Sequence, residues 1–315
     1  MRRRAVLRSL AGGLVAALLL GAWMPRAATP EASPCVFCRG VGPEAILNVA
    51  HAGASSIAPQ NTLAAGRAAL QAGANVWGVD VRRTRDGIVV LMHDETLERT
   101  TNAPVAFPER SPWRVADFAF DEIRELDAGS WFVEEDPFGQ IAAGNVSPEA
   151  LGAFHGEQVP SLREALEVVV ANEWLIDVEV KAPFDIDRSL VAEELLNLIE
   201  QTGATGRVLV SSFDHEFLRE FRARSTEIPI GALSLLPPPE ALTTLLDLGA
   251  DVYLPSPVGF LPPLLEELDA AGIHVIVWTH NTSRQLEYAA GLPGVDGIYT
   301  DFPQRLTEIL RADDP

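Results

Sequence analysis

Eight short apolar runs separated by helical stretches constrain this chain more than any other feature. The runs are "ILNVAH", "VWGVDV", "WLIDVEV", "RVLVSS", "PIGAL", "DVYLP", "HVIVWT" and "DGIYT". Between them lie segments such as "LREALEVVVAN", "EELLNLIEQTG", "EFLREFRAR", "PEALTTLLDLG" and "PLLEELDAAG", several of which end at a glycine suited to a helix C-terminus. Alternating strands and helices are the pattern of a parallel α/β fold, and eight units predict a (β/α)8 TIM barrel. The stretch from about residue 100 to 157 interrupts the pattern and is expected to be a small insertion after the second-strand hairpin.

The 315 residues are 47% hydrophobic, ample for a barrel core and inconsistent with a disordered chain. Residues 1–28 stand apart. Arg2, Arg3, Arg4 and Arg8 precede the uncharged run "SLAGGLVAALLLGAWM", a basic segment followed by an apolar one, as in a secretory signal. The arginine-rich start fits a twin-arginine signal or an ordinary one, and the run is short for a bilayer span, so a cleaved signal is favoured over an uncleaved anchor. Either way the working domain, from residue 45 to 315, is expected to be exported to a periplasmic or extracellular space. Residues 29–44 read as a linker carrying Cys35 and Cys38, for which export favours a local disulfide.

Without residues 1–28 the chain has 19 basic and 44 acidic residues. Such a surface repels nucleic acid and anionic membranes, and a phosphorylated ligand would need locally placed cations. No obligatory protein partner is evident.

Asp86-Gly87, inside "VWGVDVRRTRDGIVVLMHD", is a strong hairpin signal. A two-residue turn there pairs Arg85 with Ile88 and, counting outward, Asp80 with His93. Period-two alternation places Val76, Gly78 and Asp80 on one side of the strand and Trp77, Val79 and Val81 on the other. Barrel chemistry sits at the C-terminal strand ends, where His51, Asp80, Glu179, Lys181, Ser211, Ser212 and His280 fall. Lys181 is the only lysine in the chain, which favours a specific amine role. Without a nearby base, the two serines are not expected to be nucleophiles. His155, His215 and His274 read as surface or helix-flanking residues, and Trp77 and Trp131 as packing residues.

With these residues in place, the chain resembles the glycerophosphodiester phosphodiesterase family. The matching stretches are "AHAGASSIAPQNT", "VDVRRTRDGIVVLMHDETLERTTN", "LDAGSWF", "GEQVPSLREALE", "VEVKAP", "VSSFD", "VWTHN" and "GVDGIYTDFP", in the family's order. The resemblance implies a TIM barrel, a divalent cation (Ca²⁺ or Mg²⁺) and hydrolysis of a small-molecule glycerophosphodiester to an alcohol and sn-glycerol 3-phosphate. It puts the acid/base pair on His51 and His93, metal carboxylates on Asp80 and Glu179, and the phosphate-side lysine on Lys181. Trp278 and His280 are candidate substrate contacts. These residue types suit the chemistry: a cation offsets phosphoryl charge, while two imidazoles can accept and donate protons near neutral pH.

Three positions depart from the family pattern. Ala52 stands where it has an arginine, Gln60 where it has a glutamate, and Gly78 where it has a metal carboxylate. Asp177, on the inward parity of Glu179, is a candidate to reach the space beside Gly78, and Arg82 a candidate to replace the arginine. The alternative function is a catalytically impaired barrel that binds phosphorylated or polyol ligands.

Overall fold

The computed structural model describes Phe37 and residues 46–182, 187–259 and 261–312. The proposed signal and the Cys35/Cys38 pair lie outside the described residues. Among those described, no helix is long and apolar enough to cross a membrane.

Eight parallel strands close into a barrel with helices between them. The strands are β1 (Leu47–His51), β2 (Val76–Arg83), β4 (Leu175–Val180), β5 (Val208–Ser212), β6 (Ile230–Ser234), β7 (Val252–Pro255), β8 (His274–Val277) and β9 (Gly297–Thr300). The short β3 (Val89–Leu91) runs antiparallel on the edge of β2. Each barrel strand pairs with its sequence neighbour in the barrel, and β9 returns to β1, which also pairs with β2. All eight predicted strands are present, and the fold is the predicted (β/α)8 TIM barrel.

Alternation along the strands divides the core in two. Val49, Val76, Leu209, Val252, Leu254, Ile276 and Tyr299 belong to the cluster inside the barrel. Ala50, Trp77, Val79, Val81, Ile176 and Val178 belong to the layer between strands and helices. Trp77 is fully buried and stacks on Trp174, with ring centroids 5.8 Å apart. Gly78 and Asp80 therefore share the inward side with Val76.

Helix boundaries follow local chemistry. Ser161 caps Leu162–Ala171 by accepting from the Glu164 amide, and the Glu164 carboxylate accepts in return from the Ser161 amide. Between β3 and β4 the chain forms short helices around a core of its own that includes Met92, Leu97, Val115, Phe118, Ile123 and Leu126.

The hairpin corrects one expectation. The observed pairs are Val81 with Leu91, Arg82 with Val90 and Arg83 with Val89, so the register is shifted by one residue from that of a two-residue turn. The Thr84 amide donates to the Ile88 carbonyl, enclosing Arg85, Asp86 and Gly87 in a three-residue loop. Only Gly87 of the three has positive φ, +89°, whereas a type I′ turn needs two such residues. Met92, and not His93, lies opposite Asp80, its amide donating to the Asp80 carbonyl at 2.8 Å. His93 stands one residue beyond.

Candidate active site

His51 ends β1, and barrel closure brings to it a residue 250 positions away. Ala50 pairs with Thr300, and the next residue, Asp301, accepts at 2.7 Å from Nδ1 of His51. Asp301 is itself held by the Ser55 hydroxyl at 2.8 Å and the Asn281 amide at 2.6 Å. Burial alone would lower the His51 pKa, but the Asp301 hydrogen bond and charge, with help from Asp80 and Glu179, raise it. Asp301 responds in kind: burial would raise its pKa, and the bonds to His51, Asn281 and Ser55 bring it below the usual value.

His93 has an equivalent support close by in sequence. Its Nδ1 lies 2.7 Å from Asp94 Oδ1, and Asp94 is fixed from the other side by Arg99. The His93 carbonyl accepts from Arg82 Nε at 3.0 Å, which ties the hairpin arm to β2. With Nδ1 occupied in both rings, Nε2 is the nitrogen each can present to a substrate.

Adjacent strands bring together the carboxylates and the lysine. Asp80 on β2 is the register partner of Glu179 on β4, and Gly78 that of Asp177. Lys181 Nζ lies 2.8 Å from Asp80 Oδ1 and 2.5 Å from Glu179 Oε1. Asn61, in the left-handed region at φ 55°, clamps Asp80 by donating to its carboxylate at 2.8 Å and accepting from its amide at 3.0 Å. Burial disfavours the Asp80 charge, yet Lys181, His93, His51 and Asn61 together hold its pKa well below the carboxylate range. Glu179 moves the other way. Burial and the Asp80 charge push its pKa up to about 7 against the pull of Lys181.

The space beside Gly78 is filled, and not by Asp177. A Cβ built on Gly78 would lie 2.6 Å from Tyr299 Cε1 and 3.3 Å from the Ala50 carbonyl oxygen, so the Tyr299 ring takes the volume a side chain would need. The Tyr299 hydroxyl donates to Asp177, which is buried, and whose pKa burial pushes up to about 7 despite that bond. Asp177 is thus committed to Tyr299, contrary to the expectation that it would reach toward position 78.

The divalent cation on which the family generally depends can be tested against this donor set. Hard cations take six or more oxygen ligands and are tuned by carboxylate number. Here one carboxylate is absent, its volume is occupied, and oxygens of the other two bind an ammonium. Among the described residues no group of three His, Cys, Asp or Glu side chains is arranged to hold a metal. The residues present do not fit a hard divalent cation.

Other candidates lie around the mouth. Trp278 donates from Nε1 to the Leu254 carbonyl at 2.7 Å and meets Phe213 edge to face at 5.6 Å. His280 is half-buried with no partner for Nδ1, and burial lowers its pKa. His155, His215 and His274 bond to Ser130, the Leu233 carbonyl and Asp296 respectively, away from this cluster.

Asp301, Asp94 and Tyr299 escaped the sequence reading. Asp94 had a signal, its adjacency to His93, and Asp301 had one in its place at the C-terminal end of the last strand. Replacing Asp301 with Asn should lower the His51 pKa, because the charge that opposes burial is lost. NMR titration of the imidazole checks this, and an unchanged or higher pKa would refute the role of Asp301.

Comparison with known proteins agrees with this architecture. The sequence model of the glycerophosphoryl diester phosphodiesterase family matches residues 51–305. A glycerophosphodiester phosphodiesterase of Caldanaerobacter subterraneus is 32% identical over 265 residues, spanning 84% of this chain and 98% of that protein. An Oleispira antarctica phosphodiesterase, solved with its product sn-glycerol-3-phosphate, is 25% identical with a TM-score of 0.68, over 84% of this chain and 96% of that one. The glycerophosphodiester phosphodiesterase of Agrobacterium tumefaciens, also 25% identical, has a TM-score of 0.64 over 84% of this chain and all of its own. The chain belongs to the glycerophosphoryl diester phosphodiesterase family.

Proposed function

We propose that the protein hydrolyses glycerophosphodiesters to an alcohol and sn-glycerol 3-phosphate, with His51 and His93 as the acid/base pair. The observation that carries this reading is the presence of two imidazoles at the barrel mouth, each with Nδ1 fixed by a carboxylate and Nε2 left for a substrate atom. One imidazole takes a proton from the attacking water as its oxygen forms the new P–O bond. The other gives a proton to the leaving alcohol oxygen as its bond to phosphorus breaks. Asp301 and Asp94 orient the rings, and the Asp301 hydrogen bond and charge favour the protonated form of His51. No step passes through the Ca²⁺ or Mg²⁺ that the sequence resemblance implies.

Trp278 and His280 are proposed to contact the substrate from the β8 side. A second reading is favoured by the Tyr299 ring at Gly78: a barrel that binds phosphorylated ligands without turning them over. Assays of the purified protein with glycerophosphocholine separate the two. Hydrolysis is expected to release choline and sn-glycerol 3-phosphate in equal amounts. Binding of sn-glycerol 3-phosphate without release of either product from the diester would establish the binder.

A further inference from the structure

We propose that the Lys181 ammonium, and not a divalent cation, is the positive charge that meets the phosphoryl group in this barrel. The inference rests on the phosphodiester site proposed above and deepens it.

Three observations converge. The first is steric. A Cβ at position 78 would sit 2.6 Å from the Tyr299 ring, closer than real side chains approach, and the ring is anchored by its hydroxyl bond to Asp177. Asp177 and Tyr299 are both buried, so moving the ring off Gly78 breaks its bond to Asp177 inside the core.

The second is coordination. A hard divalent cation needs many oxygens at once, and a Lys181 ammonium bound to Asp80 and Glu179 at 2.8 and 2.5 Å needs only these two. An ammonium has three N–H donors, so one remains for a phosphoryl oxygen. Its side chain is 13% exposed, so the residue is not sealed from solvent.

The third is residue choice. Of the 24 lysine and arginine residues 23 are arginine, yet this position holds lysine. A guanidinium is broad and planar, whereas an ammonium is a compact point charge that can sit between two carboxylates much as a metal ion does. The carboxylates then aim the ammonium.

The test titrates Ca²⁺, Mg²⁺ and Mn²⁺ into chelator-stripped protein by calorimetry, and measures glycerophosphocholine turnover in EDTA and with each cation restored. No saturable cation uptake is expected below ~1 mM, the weak limit of protein Ca²⁺ sites. EDTA should leave the turnover rate within about twofold of its untreated value, since no bound cation stabilises the transition state. Lys181→Met should weaken binding of sn-glycerol 3-phosphate, in EDTA, by about tenfold or more, as loss of a charged hydrogen bond does.

The double variant Gly78→Glu, Tyr299→Ala restores the carboxylate together with room for it, and should gain cation binding that the parent lacks. One equivalent of cation bound tightly by the parent and lost on Asp80→Asn would overturn the proposal, as would turnover abolished by EDTA and recovered with metal. If the double variant fails to fold, the parent titration still decides. A protein that turns over no diester under any condition would refute the hydrolase reading, while the cation titration would still judge this one.

Discussion

Alanine at His51 should lower kcat/KM for glycerophosphocholine by about 10³-fold, within the range that general acid–base groups contribute. His51 stands at a strand end, its Nδ1 spent on Asp301, so the substitution removes the working nitrogen and leaves the strand pairing of β1 intact. The ring also meets Tyr299 edge to face at 6.2 Å, a contact whose loss affects stability far less than rate. Steady-state kinetics, with circular dichroism to verify folding, measures the effect. A loss smaller than about tenfold would remove His51 from the proton-transfer pair. The same substitution at His93 should act similarly, and the double variant should fall little further than either single one, because the two rings serve one reaction as a unit.

The largest effect on stability is expected at Trp77. The side chain is fully buried between sheet and helices, stacks on Trp174, and lies against Gly66, where an added Cβ would come within 2.6 Å of its ring. Removing a buried Trp side chain costs about 3–5 kcal/mol, because a large cavity remains in a core that relaxes only partly. Trp77→Ala should therefore lower the urea midpoint markedly at unchanged m-value. Trp77→Phe should cost less, since the indole N–H has no partner in the core and phenylalanine leaves no such donor buried. Equal stability of Trp77→Ala and the parent would show that the stack contributes nothing.

Much of the fold was legible because alternation is a local property. Val76, Gly78 and Asp80 were assigned to one side of a strand from period two alone, and the barrel interior holds them there. His51, Asp80, Glu179 and Lys181 can be placed at one end of the barrel from sequence because barrel strands end at a shared mouth. Tyr299 was illegible for the opposite reason. Its approach to Gly78 crosses the barrel from the last strand to the second, and neither residue type nor spacing says which ring will enter an empty volume. The hairpin register was missed on finer grounds: Asp-Gly serves two-residue and three-residue loops alike, and the choice turns on whether Asp86 takes positive φ.

Gly78 and Tyr299 also constrain how such a site can change over generations. A side chain at 78 and the ring at 299, as placed here, compete for one volume, so an acid at 78 requires a smaller or displaced residue at 299. With Tyr299 anchored on Asp177, a single mutation placing an acid at 78 meets a filled volume and should lower stability. The two positions therefore change as a pair, and neither can be enlarged without cost while the other stays.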